Sequence, residues 1–160
     1  MPIGNKTYQA ETKWAQQVVS LAKQNLIRGK KIAAGTLYNS VSFEVNQSTG
    51  EIDFFYADDG KWVESGRRPN SRFPPPGAIA KWAKEKGIPQ FRDKKGRYIS
   101  NDSRTFLLSR AIAIKGIRPF PFFTDALEQS INKLTPELET SIEDDLEDMI
   151  DANIPSHMNF

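Results

Sequence analysis

Few residues in this 160-residue chain have the types and spacing that bond-making chemistry needs. Glu64 and Arg67 could be read as an acid/base pair, but the sequence places no nucleophile beside them. Asp58-Asp59 and Glu143-Asp144-Asp145 cluster carboxylates, and a hard cation needs several oxygen ligands. The first pair reads as a turn and the second as the solvated face of a helix. His157 is the single histidine and falls in a C-terminal stretch, 151–160, expected to be a flexible tail. No phosphate-binding P-loop, dinucleotide glycine fingerprint or Gly-x-Ser-x-Gly elbow is present. No catalytic residue, metal or cofactor is therefore expected. A nuclease or other hydrolase would need a clustered metal site that the sequence does not offer.

Cations and aromatics are more informative. Basic residues gather at 28–31, 67–72 and 92–97, with Phe73, Phe91 and Tyr98 interleaved. Phosphate neutralisation beside base stacking is how nucleic acid is held. Arg67, Arg68, Arg72, Arg92, Lys94, Lys95 and Arg97 are thus candidate DNA-facing residues. They are spread over loops and match no nucleic-acid module, so ordinary surface charge is the competing account. Trp62, Phe73, Phe120, Phe122 and Phe123 all fall in or beside Gly/Pro-rich segments. Aromatics and arginine anchor subunit contacts. The candidate subunit or partner interface is accordingly Trp62, Val63, Glu64, Arg67, Arg68, Arg72, Phe73, Arg118, Phe120, Phe122 and Phe123. Trp82 and Phe106 lie on helical stripes and read as core.

Composition bounds the class. The length fits one domain, 1–160, with a real core. Charged residues make up 26% and no apolar run approaches the roughly 18 residues of a membrane span. No signal peptide is read at the N-terminus. Cysteine is absent, which excludes disulfides and fits folding in a reducing cytoplasm. The net charge of +2 hides an asymmetry: residues 1–122 hold 21 Lys/Arg against 10 Asp/Glu, and residues 123–160 hold 1 against 10. Opposite charges can pair copies head to tail, or present two surfaces to two partners; a plainly solvated acidic helix is the alternative.

The elements follow from periodicity. Residues 1–10 are expected as a flexible arm. Trp14, Val18, Leu21 and Ala22 recur at helical spacing over 12–27, and Gly29 is a plausible C-terminal cap. Val41, Phe43 and Val45, then Ile52, Phe54 and Tyr56, alternate around Asn46-Gln47-Ser48-Thr49-Gly50, which is a β-hairpin. Phe55 falls on the polar face, as if something covered it. Residues 62–65 fit a short strand or a helical turn. The Pro/Arg loop 66–76 is long enough to be functional or disordered. Pro76 can start a helix carrying Ile79, Trp82 and Ala83. Residues 89–100 form a basic turn or small hairpin. The next helix shows a stripe of Phe106, Leu107, Ala111 and Ile114. Thr124 or Asp125 can cap the last helix, whose apolar register carries through Pro136 as a kinked or closely continued helix. The expected class is α+β: a small antiparallel sheet, hairpin plus an additional short strand, packed against helices, with a long C-terminal helix.

Thr36-Leu37-Tyr38-Asn39-Ser40, Val63-Glu64-Ser65-Gly66 and Ile117-Arg118-Pro119-Phe120-Pro121-Phe122-Phe123-Thr124-Asp125-Ala126-Leu127 occur in that order. With the Pro74–Ile88 block they resemble the head–tail joining and tail-completion (neck) proteins of long-tailed bacteriophages, over roughly residues 10–135. The longer gap before Trp62, the extended Pro-rich loop and the acidic segment beyond Thr135 depart from that pattern. The resemblance implies a structural virion protein and not an enzyme. It implies a ring, a hexamer at the tail side, that completes the tail and joins it to the portal complex on the head. Implied partners are sister copies, neighbouring neck, portal-side adaptor and tail-tube proteins, with contact to passing DNA and none to membrane. Such a protein is made and assembled in the host cytoplasm and resides in the virion. A nucleic-acid-binding accessory protein and a tail-tube or baseplate subunit are the rival readings. Ring contacts are expected through the hairpin edge, the 62–76 loop and the 118–127 turn. Phe122→Ala or Phe123→Ala is then expected to stop assembly while the monomer stays folded.

Overall fold

The computed structural model describes residues 2–32 and 35–153. His157 and the remainder of the tail beyond 153 lie outside the described residues. In chain order the elements are α1 (Asn5–Arg28), α2 (Thr36–Ser40), β1 (Ser42–Asn46), β2 (Glu51–Phe55), α3 (Gly60–Ser65), α4 (Pro76–Glu85), α5 (Asn101–Lys115) and α6 (Phe122–Asn153). The protein is α+β, with a two-stranded antiparallel sheet and a long C-terminal helix. Residues 62–65 are helical, so no further strand joins the sheet among the described residues. Among the described residues, no helix is long and apolar enough to cross a membrane.

The chain divides into two compact units. The first comprises Met1–Asn25, Val41–Tyr56 and Phe122–Phe160; the second comprises Leu26–Ser40 and Ala57–Pro121.

In the first unit, α1 buries Trp14, Ala15, Val18, Val19 and Ala22, a stripe at three- and four-residue spacing. The Trp14 indole donates to the Ser130 carbonyl at 3.1 Å, and the Asn25 amide donates to the Phe122 carbonyl at 3.0 Å. These bonds fix α6 along α1. The hairpin pairs Ser42 with Phe55 and Asn46 with Glu51. Its alternation turns Phe43, Val45, Ile52 and Phe54 inward. Phe54 stands edge-on to Trp14 and Phe123, and Tyr56 edge-on to Phe122, with centroids 5.2–6.0 Å apart. Phe55 is exposed on the outer face.

Helix α1 begins at Asn5, inside the stretch expected as an arm. The cause is distant in sequence. Asp145 of α6 accepts from the Lys6 amide (3.0 Å), the Thr7 amide (2.8 Å) and the Thr7 hydroxyl (2.6 Å). A carboxylate there satisfies unpaired amides and complements the positive helix end. Burial opposes ionisation of Asp145, but the bonds from Thr7 and Lys6 outweigh it and hold the carboxyl below its ordinary range. Asp148 adds an ion pair to Lys6 at 2.9 Å. The acidic run is therefore more than a solvated face.

Helix α6 starts at Phe122, ahead of both expected caps, and runs unbroken through Pro136. Pro136 removes one ladder bond, and Asn132, whose carbonyl loses its partner, is exposed and can be solvated.

In the second unit, α4 starts with Pro76, buries Ile79 and Ala83, and packs against α5. Ser100 caps α5, its hydroxyl accepting from the Ser103 amide at 3.2 Å. At the end of α1 the left-handed residue is Lys30 (φ 52), and not Gly29. Gly29 instead admits the Phe120 ring: a Cβ there would stand 2.4 Å from Phe120 Cζ.

Candidate interaction surface

Two motifs separated by some fifty residues meet in the second unit. Arg67 and Ile117 exchange both backbone hydrogen bonds at 2.9 Å, forming an antiparallel bridge. The Phe120 amide donates to the Val63 carbonyl at 2.8 Å. Gly66 and Gly116 flank the bridge at φ 69 and φ 71. A Cβ on Gly66 would stand 2.4 Å from the Ile117 oxygen, and one on Gly116 2.3 Å from the Arg67 oxygen. Both positions therefore exclude side chains on conformation and on space. The Val63–Gly66 and Ile117–Phe120 segments are thereby one structural feature.

Around that bridge the Pro/Arg loop is ordered. The Asn70 amide donates to the Ile114 carbonyl (3.2 Å) and the Ser71 amide to the Ala113 carbonyl (3.0 Å), seating the loop on the end of α5. Arg67 is half-buried and bound to its own loop: its Nε donates to Ser71 Oγ at 3.0 Å and its guanidinium donates to the Arg72 carbonyl. Its guanidinium and the Lys61 amine also lie over the Trp62 ring, at 5.4 and 5.3 Å from the centroid. Arg67 is thus a clamp within the loop, while Arg68, Arg72, Phe73 and Arg118 are exposed.

Helix α5 differs most from expectation. Its buried residues are Thr105, Ser109 and Ala113. The apolar stripe expected in the core faces outward: Phe106 is 57% exposed, and Leu107, Ala111 and Ile114 are exposed with it. The inner face, which also holds half-buried Leu108 and Ile112, belongs to a helix that packs against α4, where Ile79 and Ala83 are buried. Among the described residues, the ring beside Phe106 is that of Phe73, itself exposed, with centroids 5.9 Å apart. Trp82, also expected in the core, is partly exposed. Arg110, which sequence reasoning passed over, lies between Phe106 and Ile114 at four-residue intervals on the same face. A cation in the middle of an apolar stripe was the available signal that this side meets something polar.

The aromatic interface candidates separate. Phe122 is 0% exposed and belongs to the core of the first unit, so it cannot be an interface anchor. Phe123 is half-buried among Phe54, Tyr56 and Phe122. Phe120 is half-buried too, with the Lys31 amine 5.7 Å from its ring centre. Trp62 and Phe73 are exposed, and Val63 and Glu64 half-buried. The 118–127 turn is helical from Phe122 onward, and its exposed residues are Arg118, Pro119 and Thr124.

The second basic group forms a tight turn. Arg92 pairs with Tyr98 in a bridge, its guanidinium 4.2 Å above the ring. Asp93 accepts from the amides of Lys95 and Arg97 and from Arg97 Nε, at 2.8–3.0 Å. The backbone bond from Arg97 leads the effects that hold Asp93 below its ordinary carboxylate range. Lys94, Lys95 and Tyr98 are exposed, and an open pocket of about 500 Å³ is lined by Pro89, Gln90, Arg92 and Tyr98. Asp58-Asp59 forms a turn, and among the described residues no group of three acidic or histidine side chains could hold a metal ion.

The division into units also divides the charge. The first unit holds 4 Lys/Arg and 14 Asp/Glu; the second holds 18 and 6. Comparison with protein-family models, curated proteins and solved structures finds no match.

Proposed function

We propose that this chain is a structural subunit of a tailed-phage neck, one that forms a ring completing the tail and joining it to the portal complex. The observation that carries the reading is the outward apolar stripe of α5. Phe106, Leu107 and Ile114 lie exposed, and the exposed Phe73 ring stands beside Phe106. An apolar patch of that kind marks a surface that is covered by another molecule. The order of motifs resembling neck proteins supports the reading, and so does the backbone bridge that joins two of them. Its partners are sister copies and the adjoining neck, adaptor and tail-tube proteins. Residence in the virion follows from the same proposal.

Deleting the gene from the phage or prophage that encodes it tests the reading. Filled heads and tails should then accumulate unjoined in negative-stain images. Intact, infectious particles made without the protein would refute it.

A second reading has its own support. The second unit carries 18 cations against 6 acids and exposes Tyr98 beneath the Arg92 guanidinium. That combination suits duplex DNA, either passing through a ring or bound by an accessory protein. Binding of purified protein to duplex DNA that collapses between low and moderate salt would favour the accessory role.

A further inference from the structure

Two exposed stripes in this chain match in length and oppose in charge. On α5, Phe106, Arg110 and Ile114 recur every fourth residue, with Leu107 and Ala111 beside them. On α6, Ile142, Leu146 and Ile150 recur every fourth residue and are exposed as well. Each stripe covers about 12 Å of helix. Glu139, Glu143 and Glu147 border the α6 stripe, and residues 137–153 contain eight Asp/Glu and no Lys/Arg. Arg68 and Arg72 stand exposed on the loop seated at the end of α5 and add to Arg110.

Charge decides the occupant. Two α6 stripes face to face would oppose carboxylate to carboxylate, and two α5 stripes would oppose arginine to arginine. Like charges brought together in this way oppose association. Only the crossed pairing sets apolar rows together with opposite charges at their edges. We infer that the distal stripe of α6 in one copy docks on the outward stripe of α5 in a second copy. Each copy carries both halves of this contact, so it either closes as a reciprocal pair or repeats from copy to copy. That the repeat closes into a ring rests on the neck-subunit reading; the contact itself rests on the two stripes.

A charge swap in the full-length chain tests it by sedimentation velocity at low and high salt. The wild type should self-associate at low salt and dissociate as salt rises. Glu143→Lys with Glu147→Lys should weaken association about a hundredfold, and so should Arg72→Glu with Arg110→Glu. Mixing the two variants in equal amounts should restore assembly, because each then supplies the stripe the other lacks. Circular dichroism establishes that both variants are folded, and recovery on mixing excludes simple damage.

The inference is overturned by a wild type that is monomeric at every salt concentration. Variants that assemble as well as the wild type, or a mixture that does not recover, also overturn it. Duplex DNA bound by the wild type and lost with Arg72→Glu and Arg110→Glu, without self-association, assigns the α5 stripe to nucleic acid and overturns it too. The two readings fail separately. Charge-reversed variants that still enter particles at the neck defeat the docking alone. Recovery on mixing, with intact particles formed in the absence of the gene, defeats the neck role alone.

Discussion

Three phenylalanines on this chain should respond to the same substitution in three different ways. Phe122 is 0% exposed and stands edge-on to Tyr56 at 5.5 Å. Replacing a buried phenylalanine by alanine removes its transfer energy and leaves a cavity, at a cost of about 3–5 kcal/mol. Lost edge-to-face contacts place Phe122→Ala toward the upper part of that range. Phe123 is half-buried in the same cluster, so Phe123→Ala should cost less, about 2 kcal/mol. Phe106 is 57% exposed and Phe106→Ala should cost about 0.5 kcal/mol or less. Total stabilities run to about 5–15 kcal/mol, so the first variant loses a large share and the last almost none. Urea titration followed by tryptophan fluorescence measures this. Trp14 is buried beside Phe54 and reports on the first unit. With a denaturant slope of about 2 kcal/mol/M, the Phe122→Ala midpoint should fall by about 2 M. A fall equal to that of Phe106→Ala would refute the assignment of Phe122 to the core. The expectation from sequence that Phe122→Ala leaves the monomer intact is replaced by this one; loss of assembly in that variant would say nothing about an interface.

Gly116→Ala should destabilise by on the order of 2 kcal/mol, from positive φ and a Cβ 2.3 Å from the Arg67 oxygen; a thermal melt like that of wild type would refute the bridge geometry. Asp145→Ala removes the cap of α1 and should cost about 1 kcal/mol at neutral pH. Because the folded carboxyl lies below its ordinary range, that contribution is present above the unfolded value and is lost as pH falls through the folded one. The gap between wild type and Asp145→Ala should therefore close in acid urea titrations. Glu11 behaves in the opposite sense: it is buried with Oε2 unpartnered, and burial pushes its carboxyl up. Ionised Glu11 costs stability above its raised folded value, and that cost vanishes below the ordinary glutamate range. Glu11→Gln should accordingly raise the melting temperature at pH 7 and not at acidic pH; the reverse pattern would refute the burial account.

Much of the framework was legible because it is local. The α1 stripe of Trp14, Val18 and Ala22, the alternation around Asn46–Gly50 and the start of α4 at Pro76 each rest on neighbours a few residues apart. The apolar register through Pro136 pointed to a kinked or closely continued helix, and α6 runs through that position unbroken. Residues 62–65 were ambiguous because one helical turn is too short to show a period. The start of α1 was misjudged because its cap, Asp145, lies 138 residues beyond Thr7.

Sequence alone determined which residues share a face, since helical and strand periods follow from backbone geometry. It also fixed the opposite charges of the two parts of the chain, which need only counting. Tertiary structure decided which face turns inward. On α5 both sides repeat every fourth residue, Phe106 with Ile114 on one and Thr105, Ser109 and Ala113 on the other. Periodicity treats them alike. The side that turns inward carries Thr105, Ser109 and Ala113 with half-buried Leu108 and Ile112, and Phe106 and Ile114 are left outward.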